Sequence, residues 1–452
     1  MLDALIRREL GTVPEFSTFA TVDELIAEFE RLADTYPSVC TMRRVGRSRL
    51  GEPLHCLTIS GGDRHALAYA MPHPHELVGG LTAVHLARRL CADPSLRERL
   101  GLTWHIVPCA DPDGTRLNEQ WLRGPFTRSR YARHFYRPAP DEQVDWTFPR
   151  SGMRIHDDRV LPETSALMRL IDETRPMFLS SLHNAEAGGV YYYLSHDEPE
   201  LYPMLHGIPA ELGLPLDAGE PEQPNVELLS AAVFRTSNPR HAADHAEQYG
   251  LAPAHSGAGA SSADYALRYG TVTLISEVPY WTHGDFSDAS PTDTRYADAL
   301  REQSKALGDF ADLLGDILRL VAPDLAYESP FFRATRAFTA DSARRRHDIE
   351  RRAELPGAAR AATVAELLAL RDTVHTFRLR YSGMLLRALD GELAVGNGTA
   401  VIRAQRRTVA ELHDEWCAVA EAESRLTTAP IGDLVAVQYA AILAAARHTN
   451  RY

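Results

Sequence analysis

The chain has 452 residues, a hydrophobic content of 44% and a formal net charge of −13, a composition typical of a globular protein larger than one hydrophobic core usually serves. The negative charge weighs against a nucleic-acid partner, because a phosphate backbone calls for clustered positive charge. No apolar run reaches the roughly 20 residues that cross a bilayer, so we expect no membrane partner. The five cysteines are scattered, and the N-terminal residues lack the apolar centre of a signal peptide. Both features predict a cytoplasmic protein.

Up to about residue 325, apolar runs rich in strand-forming residues alternate with helical patterns. This alternation predicts an α/β fold in which helices cover both faces of a sheet. Four runs are nearly continuously apolar, as central strands of such a sheet are, and chemically capable residues follow each of them. They are residues 65–71, 102–110, 175–183 and 271–279. Because ligands bind outside the carboxyl ends of strands in open α/β sheets, we expect these four ends to meet at one crevice.

From about residue 326 the pattern becomes entirely helical. Thr363 is a candidate cap for the second of four predicted helices, and Gly391 is a candidate stop. Residues 326–452 contain 18 arginines and 15 acidic residues, a net charge of +3, which leaves −16 for residues 1–325. We therefore predict an all-α C-terminal domain at 326–452 behind a catalytic domain at 1–325. Its expected role is packing, or the formation of a homo-oligomer.

The sequence HPHE at residues 73–76 places two metal-capable side chains three residues apart. Zinc accepts both imidazole nitrogen and carboxylate oxygen, so His73 and Glu76 are candidate ligands of one ion. A catalytic zinc site also needs a third protein ligand, and His183 at the end of the third apolar run is the leading candidate. Alone, His-x-x-Glu is a weak signal, since most such pairs are surface residues or helix caps.

The order of further motifs is more specific. HPHE is followed by DPDG at 111–114, SLHN at 181–184 and ISEVP at 275–279. In this order residues 15–320 resemble the zinc carboxypeptidases, the carboxypeptidase A-like metallopeptidases. The resemblance implies a mixed, mostly parallel central sheet flanked by helices and one Zn²⁺ ion. It also implies roles for four residues: His73, Glu76 and His183 as metal ligands, and Glu277 as the general base.

The resemblance further implies an arginine after the DPDG turn that stabilises the developing oxyanion. Arg123 is our first choice for this catalytic residue, and Arg116 is the alternative. Family members that trim free C-termini also carry an Asn-Arg pair that binds the substrate carboxylate. Here Thr147 and Phe148 stand at those positions, so the bidentate carboxylate contact of an arginine is lost. We predict that Arg150 makes a substrate contact instead.

Two more positions depart from the family pattern. His75 replaces the arginine usually found within the first metal motif, and we expect it to support the ligands or contact the substrate. The stretch HSGAGA at 255–260 offers no tyrosine where the family has a mobile one. Tyr280 is therefore the predicted source of a phenol at the substrate site.

The resemblance implies a metallocarboxypeptidase-type hydrolase that cleaves a peptide or amide bond. Because the carboxylate-binding pair is missing, we expect a specialised peptide-like or modified amino-acid substrate. Two alternatives remain open. The chain could be a non-catalytic zinc-binding or partner-binding module that retains the fold, or a deacylase or esterase that acts on N-acyl amino acids.

Overall fold

A computed structural model of the chain describes residues 2–150, 160–221, 226–236 and 259–451. Residues 255–258 of the HSGAGA stretch lie outside the described residues. The helices are α1 (Ala4–Leu10), α2 (Val22–Thr35), α3 (Val78–Ala92), α4 (Pro94–Leu100), α5 (Pro112–Asn118), α6 (Arg128–His134), α7 (Pro162–Thr174), α8 (Tyr202–Glu211), α9 (Ser262–Ala266), α10 (Tyr296–Val321), α11 (Pro330–Glu354), α12 (Val364–Ala394), α13 (Ala400–Glu423) and α14 (Ile431–Thr449). The strands are β1 (Cys40–Arg47), β2 (Pro53–Ile59), β3 (Arg64–Ala70), β4 (Leu102–Val107), β5 (Phe178–His183), β6 (Tyr191–Leu194), β7 (Leu228–Ser230), β8 (Val233–Arg235), β9 (Val272–Glu277), β10 (Trp281–Thr282), β11 (Pro291–Arg295), β12 (Ala361–Thr363) and β13 (Thr427–Thr428).

Within the described residues, nine strands form one mixed sheet in the order β1-β2-β4-β3-β5-β9-β6-β8-β7. The central strands β4, β3, β5 and β9 run parallel to one another, and antiparallel pairs flank them on both sides. These four strands are the four apolar runs of the sequence. Their carboxyl ends therefore lie side by side at one edge of the sheet, as the apolar pattern predicted.

The central strands are apolar along their whole length because helices cover both faces of the sheet. In β3 the alternate residues Ala66, Ala68 and Ala70 belong to the larger core cluster, while Leu67 and Tyr69 face a second core on the other side. Contacts with α3 and α14 cover the first face. Leucines and Ile171 of α7 contribute to the core of the second face. The prediction of a two-sided α/β sheet is confirmed.

The C-terminal region is helical, as predicted, and α12 begins where the sequence indicated. Thr363 caps it in a reciprocal arrangement with Glu366, each side chain accepting from the other residue's backbone N–H. The prediction that Gly391 ends this helix is wrong. The helix continues to Ala394, and the left-handed glycine that follows it is Gly396, with φ of 85°. Gly391 instead makes room for Tyr327, whose hydroxyl would lie 2.6 Å from a Cβ at position 391.

The division into domains at residue 325 stays a prediction, but packing crosses that position. Helix α14 contacts α1, α3, α8, β5 and β9, and α12 lies against α6. The second crossing is very close, because a Cβ at Gly383 would lie 2.1 Å from the carbonyl oxygen of Ala132. Residues from both sides of 325 thus share one hydrophobic core. Among the described residues, no helix has the length and apolar character that crossing a membrane requires.

Candidate metal centre

The first candidate ligands lie in a turn between β3 and α3. Met71 begins this turn with φ of 55°, a left-handed conformation that is uncommon for a residue other than glycine. The backbone N–H of Glu76 donates to the carbonyl of His73 at 3.1 Å. Helix α3 begins only at Val78, so Glu76 precedes the helix. This turn brings the side chains of His73 and Glu76 close to each other.

The structure brings the four main predicted residues together. His73, Glu76 and His183 each place one potential ligand atom within 4.8 Å of the others, and all three are buried. Nδ1 of His183 lies 2.9 Å from Oε2 of Glu76. Glu277 is the register partner of His183 on the neighbouring strand, and its Oε1 lies 3.9 Å from Nδ1 of His183. The pairing of β5 with β9 therefore sets a carboxylate beside the three-residue cluster.

The outward-facing nitrogen of His183 is held by two polar side chains. Its Nε2 lies 2.8 Å from Oγ of Ser181 and 3.3 Å from Oδ2 of Asp145. Asp145 is itself fixed by the hydroxyl of Tyr69, which donates to Oδ1 at 2.8 Å. Carboxylates that hold a ligand histidine orient its ring and set its tautomer. Nδ1 of His183 is consequently the nitrogen that points into the cluster.

The donor set fits a zinc ion. Nδ1 of His73 is buried and makes no hydrogen bond, and buried polar atoms without partners are uncommon enough to need a reason. On the other side of this ring, Nη2 of Arg137 lies 3.2 Å from Nε2 of His73. Two imidazole nitrogens and one carboxylate form a known set of ligands for catalytic zinc. An ion among His73, Glu76 and His183 would satisfy these atoms.

The electrostatics of the cluster favour a cation. Burial lowers the pKa of His73 well below its usual value, and the charge of Arg137 lowers it further. Burial opposes protonation of His183 as well, but Glu76 and Asp145 outweigh it and raise the pKa of His183 well above its usual value. His73 is therefore neutral, whereas His183 holds a proton beside the carboxylates. Binding of a metal ion at this position would release that proton.

His75 and Tyr280 lie beside the cluster but are engaged with the protein. The ring of His75 packs edge-to-face on Phe135, with centroids 4.9 Å apart, and its Nε2 lies 3.6 Å from Oε1 of Glu76. The hydroxyl of Tyr280 donates to the carbonyl of His75 at 2.7 Å and accepts from the N–H of Leu77 at 2.9 Å. Tyr280 thus stabilises the turn that carries His73 and Glu76. Direct substrate contact by either residue stays a prediction.

The arginine chosen from the sequence pairs with an exposed carboxylate, and its predicted catalytic role stays a prediction. Arg123 is largely exposed and pairs with Glu24 at the start of α2, while the alternative, Arg116, pairs with Asp23 and Glu52. Arg137 is the arginine that approaches the cluster, and its guanidinium also donates to Gln143 at 3.0 Å. The order of residues after the DPDG turn could not distinguish these arginines, because an intervening helix and loop turn the chain back before residue 137.

The positions of the missing carboxylate-binding pair are filled by structural side chains. Phe148 is fully buried and packs against Tyr265 with centroids 5.5 Å apart. The hydroxyls of Thr147 and Thr164 lie 2.6 Å apart. Arg150 is half-buried and directly precedes residues 151–159, which lie outside the described residues. Its predicted substrate contact stays a prediction.

A buried ionic network joins the C-terminal helices to the surroundings of the cluster. Arg128 makes a bidentate pair with Asp372 of α12, at 2.6 and 2.9 Å. Its Nε lies 3.4 Å from Glu186, which also accepts from Arg380 of α12 at 2.5 Å. The guanidinium of Arg380 lies 4.7 Å from the centre of the Phe135 ring, on which His75 also packs. Helical periodicity alone did not indicate that α12 contacts the surroundings of the cluster.

Comparison with known proteins agrees with this geometry. The zinc carboxypeptidase family model (Peptidase_M14) matches residues 25–277. Carboxypeptidase A2 of Mus musculus is 29% identical over 140 residues, which cover 28% of this chain and 33% of that protein. The chain therefore matches about a third of the length of this curated relative.

Similar solved structures include carboxypeptidase A from Helicoverpa armigera, with 16% identity, a TM-score of 0.37 and coverage of 78% of each chain. A metallo-carboxypeptidase from Burkholderia cenocepacia has 15% identity and a TM-score of 0.34, covering 61% of this chain and 63% of that one. The match to the family model spans more than half of this chain and includes His73, Glu76, His183 and Glu277. The chain belongs to the zinc carboxypeptidase family.

Proposed function

We propose that this protein is a zinc-dependent hydrolase that cleaves a peptide or amide bond in a specialised peptide-like or modified amino-acid substrate. One observation carries the proposal: the buried cluster of His73, Glu76 and His183 lies next to the carboxylate of Glu277. A zinc ion bound by the three residues supplies a nucleophilic water at neutral pH and polarises the scissile carbonyl. The remaining chemistry belongs to side chains of this chain.

Glu277 is the general base of the proposed reaction. It ends a strand that is otherwise apolar, and it is buried, so its carboxylate has a fixed position beside the cluster. It accepts a proton from the attacking water and returns it to the leaving amine. Asp145 and Ser181 keep the ring of His183 in one orientation. Arg137, the guanidinium that approaches His73, takes the oxyanion role first proposed for Arg123.

The substrate is proposed to lack the free C-terminal carboxylate that ordinary carboxypeptidases bind at the Asn-Arg pair. The two residues at those positions support this proposal, because Phe148 packs in the core and the hydroxyl of Thr147 is hydrogen-bonded to that of Thr164. A cytoplasmic location is proposed as well, because the five cysteines are free thiols, as expected in a reducing compartment.

The test combines metal analysis with turnover by the Glu277→Gln variant. We expect one zinc ion per chain in both proteins, and a fall in kcat of about 10²–10⁴-fold in the variant, the usual contribution of a general base. Glu173→Gln is the control, because Glu173 is exposed and pairs with the exposed Arg43. A wild-type protein that binds no zinc would refute the proposal.

The substrate panel distinguishes the remaining candidates. Peptides with free and blocked C-termini and N-acyl amino acids are offered to the zinc-loaded protein. Cleavage of blocked peptides favours the proposed specificity, whereas cleavage of N-acyl amino acids alone favours a deacylase. If zinc binds but Glu277→Gln leaves every activity unchanged, the chain is a binding module that has kept the fold.

A further inference from the structure

Helix α14 carries a single buried amide in an apolar surrounding. Gln438 is fully buried, and its neighbours Val437, Tyr439, Leu434 and Ile442 are also buried and belong to the main hydrophobic core. Burial of a primary amide costs free energy unless its two N–H groups and its oxygen find partners. An apolar residue would fill this space without that cost, so the presence of a buried amide at this position requires an explanation.

All the hydrogen-bonding groups of this amide are used. Its Nε2 donates to the carbonyl oxygen of His183 at 2.5 Å and to that of Ser276 at 3.3 Å. Its Oε1 accepts from the hydroxyl of Thr82 at 2.7 Å. Two donors meet two carbonyls and one acceptor meets one hydroxyl, so the arrangement assigns the orientation of the amide without ambiguity.

The three partners lie on the three elements that build the metal centre. His183 is the last residue of β5 and one of the predicted ligands. Ser276 precedes Glu277 at the end of β9, and the two strand ends are in register. Thr82 lies in α3, the helix that begins two residues after Glu76. A single side chain from α14 thus fixes the mutual position of both strand ends and of the helix behind the turn.

We propose that Gln438 is a positioning residue of the metal centre, and that α14 is therefore a working part of that centre. The inference rests on the proposed function for the identity of the ligands. It adds that the spacing of His183, Glu76 and Glu277 is maintained by an amide that lies 162 residues further along the chain than Ser276, the nearest of its three partners. Removal of the amide takes one donor from each of two carbonyls at the strand ends, so we expect the position of each strand end to shift.

The test compares Gln438→Met with Gln303→Met. Methionine is unbranched and of similar length, so it fills the space without making the hydrogen bonds. Gln303 on α10 is a matched control, since it is buried and donates to one carbonyl, that of Leu370, at 3.1 Å. Zinc dissociation constants are measured by competition with a chelating indicator, and Co²⁺-substituted proteins are compared by visible absorption. Thermal unfolding is recorded for both variants.

We expect zinc to bind Gln438→Met about 10–100-fold more weakly than the wild-type protein, the range found when groups that support metal ligands are removed. The Co²⁺ spectrum should also change, because the ligand geometry changes. Gln303→Met should bind zinc within twofold of wild type and give an unchanged spectrum, even where it lowers the melting temperature equally. A purely structural role for Gln438 would lower the melting temperature and leave zinc affinity and the spectrum unaltered.

If Gln438→Met does not fold, Thr82→Val decides the question by the same measurements. Valine has the shape of threonine but lacks the hydroxyl that orients the amide, and a several-fold loss of zinc affinity is expected. If Gln438→Met folds, binds zinc with wild-type affinity and gives the wild-type Co²⁺ spectrum, this inference alone is overturned. Where Gln438→Met does not fold, the same result for Thr82→Val overturns it. Failure of the wild-type protein to bind zinc overturns the proposed function and this inference together.

Discussion

Substitution of Asp372 by asparagine tests whether the buried ionic network stabilises the fold. Asp372 and Arg128 are about nine-tenths buried as side chains, and they form a bidentate pair. Asparagine keeps the size of the side chain but removes the charge. Two guanidinium groups, those of Arg128 and Arg380, then share one carboxylate, Glu186. Removal of one partner from a buried pair costs about 3–5 kcal/mol, because the other charge stays buried without full compensation.

The corresponding change in melting temperature follows from the size of the chain. With about 2.1 cal/mol/K of unfolding entropy per residue, a chain of 452 residues loses about 0.9 kcal/mol of stability per degree near its midpoint. Asp372→Asn should therefore lower the melting temperature by about 3–5 °C in scanning calorimetry. Asp309→Asn is the control, because its partner Lys305 and Asp309 itself are both largely exposed. Such pairs contribute at most about 1 kcal/mol, so a shift of about 1 °C or less is expected.

A double-mutant cycle separates the ionic interaction from simple loss of packing. The variants are Arg128→Met, Asp372→Leu and the two combined. Since a buried pair is often replaced by apolar side chains at little cost, the double variant should be more stable than either single variant. The reasoning is refuted if Asp372→Asn shifts the midpoint by less than 1 °C, or if the two single effects simply add.

Three further predictions concern the active centre and the fold. Arg137→Met should lower kcat by about 10²–10³-fold, the loss found for one oxyanion donor, whereas Arg123→Met should leave kcat within twofold; equal effects in steady-state assays would count against the assignment. Burial raises the pKa of Asp111 to about 7, far above that of an unfolded aspartate, so the folded state binds the proton more tightly and stability falls as pH rises from about 4 to 7. Asp111→Asn should remove this dependence of stability on pH. In urea unfolding, the free energy of unfolding of the variant should exceed that of the wild-type protein by about 2–4 kcal/mol at pH 8 but not at pH 4. A pH dependence that persists in the variant would show that another group causes it. Gly383→Ala should lower the melting temperature by several degrees, because the backbone of Ala132 in α6 leaves no room for a Cβ there. Gly315→Ala, with open space around it, should instead stabilise α10 by up to about 1 kcal/mol. A similar response of the two variants would contradict the close crossing.

The sequence was sufficient for features that depend on local pattern and on chain order. Four nearly continuous apolar runs predicted four buried parallel strands, because only strands covered on both faces tolerate such runs. The strand ends then placed His183 and Glu277 together without any knowledge of distances, since adjacent parallel strands in register bring corresponding residues side by side. Thr363 was also found correctly, because a cap depends on residues three positions apart.

Other features depended on contacts between distant segments, which the sequence did not reveal. Gly391 is compatible with a helix end by composition, yet Tyr327 packs over it and the helix continues. The sequence could not show that Arg137 approaches the cluster while Arg123 does not pair there, because their positions depend on the path of the chain around α6. Gln438 did leave a signal, as an isolated amide in a long apolar helix indicates a buried partner. The sequence could not show that this partner is the carbonyl oxygen of His183.

The packing of α14 on β5 and β9 also affects how the protein is made. Proteins are synthesised from the N-terminus, and early segments begin to fold while later ones are still being added. The sheet, the HPHE turn and both strand ends emerge from the ribosome long before residues 431–449, which cover one of their faces. Until those residues arrive, that apolar face is open to solvent and to chaperones. A transcript interrupted between residues 277 and 431 should therefore yield an aggregation-prone product, even though it encodes His73, Glu76, His183 and Glu277.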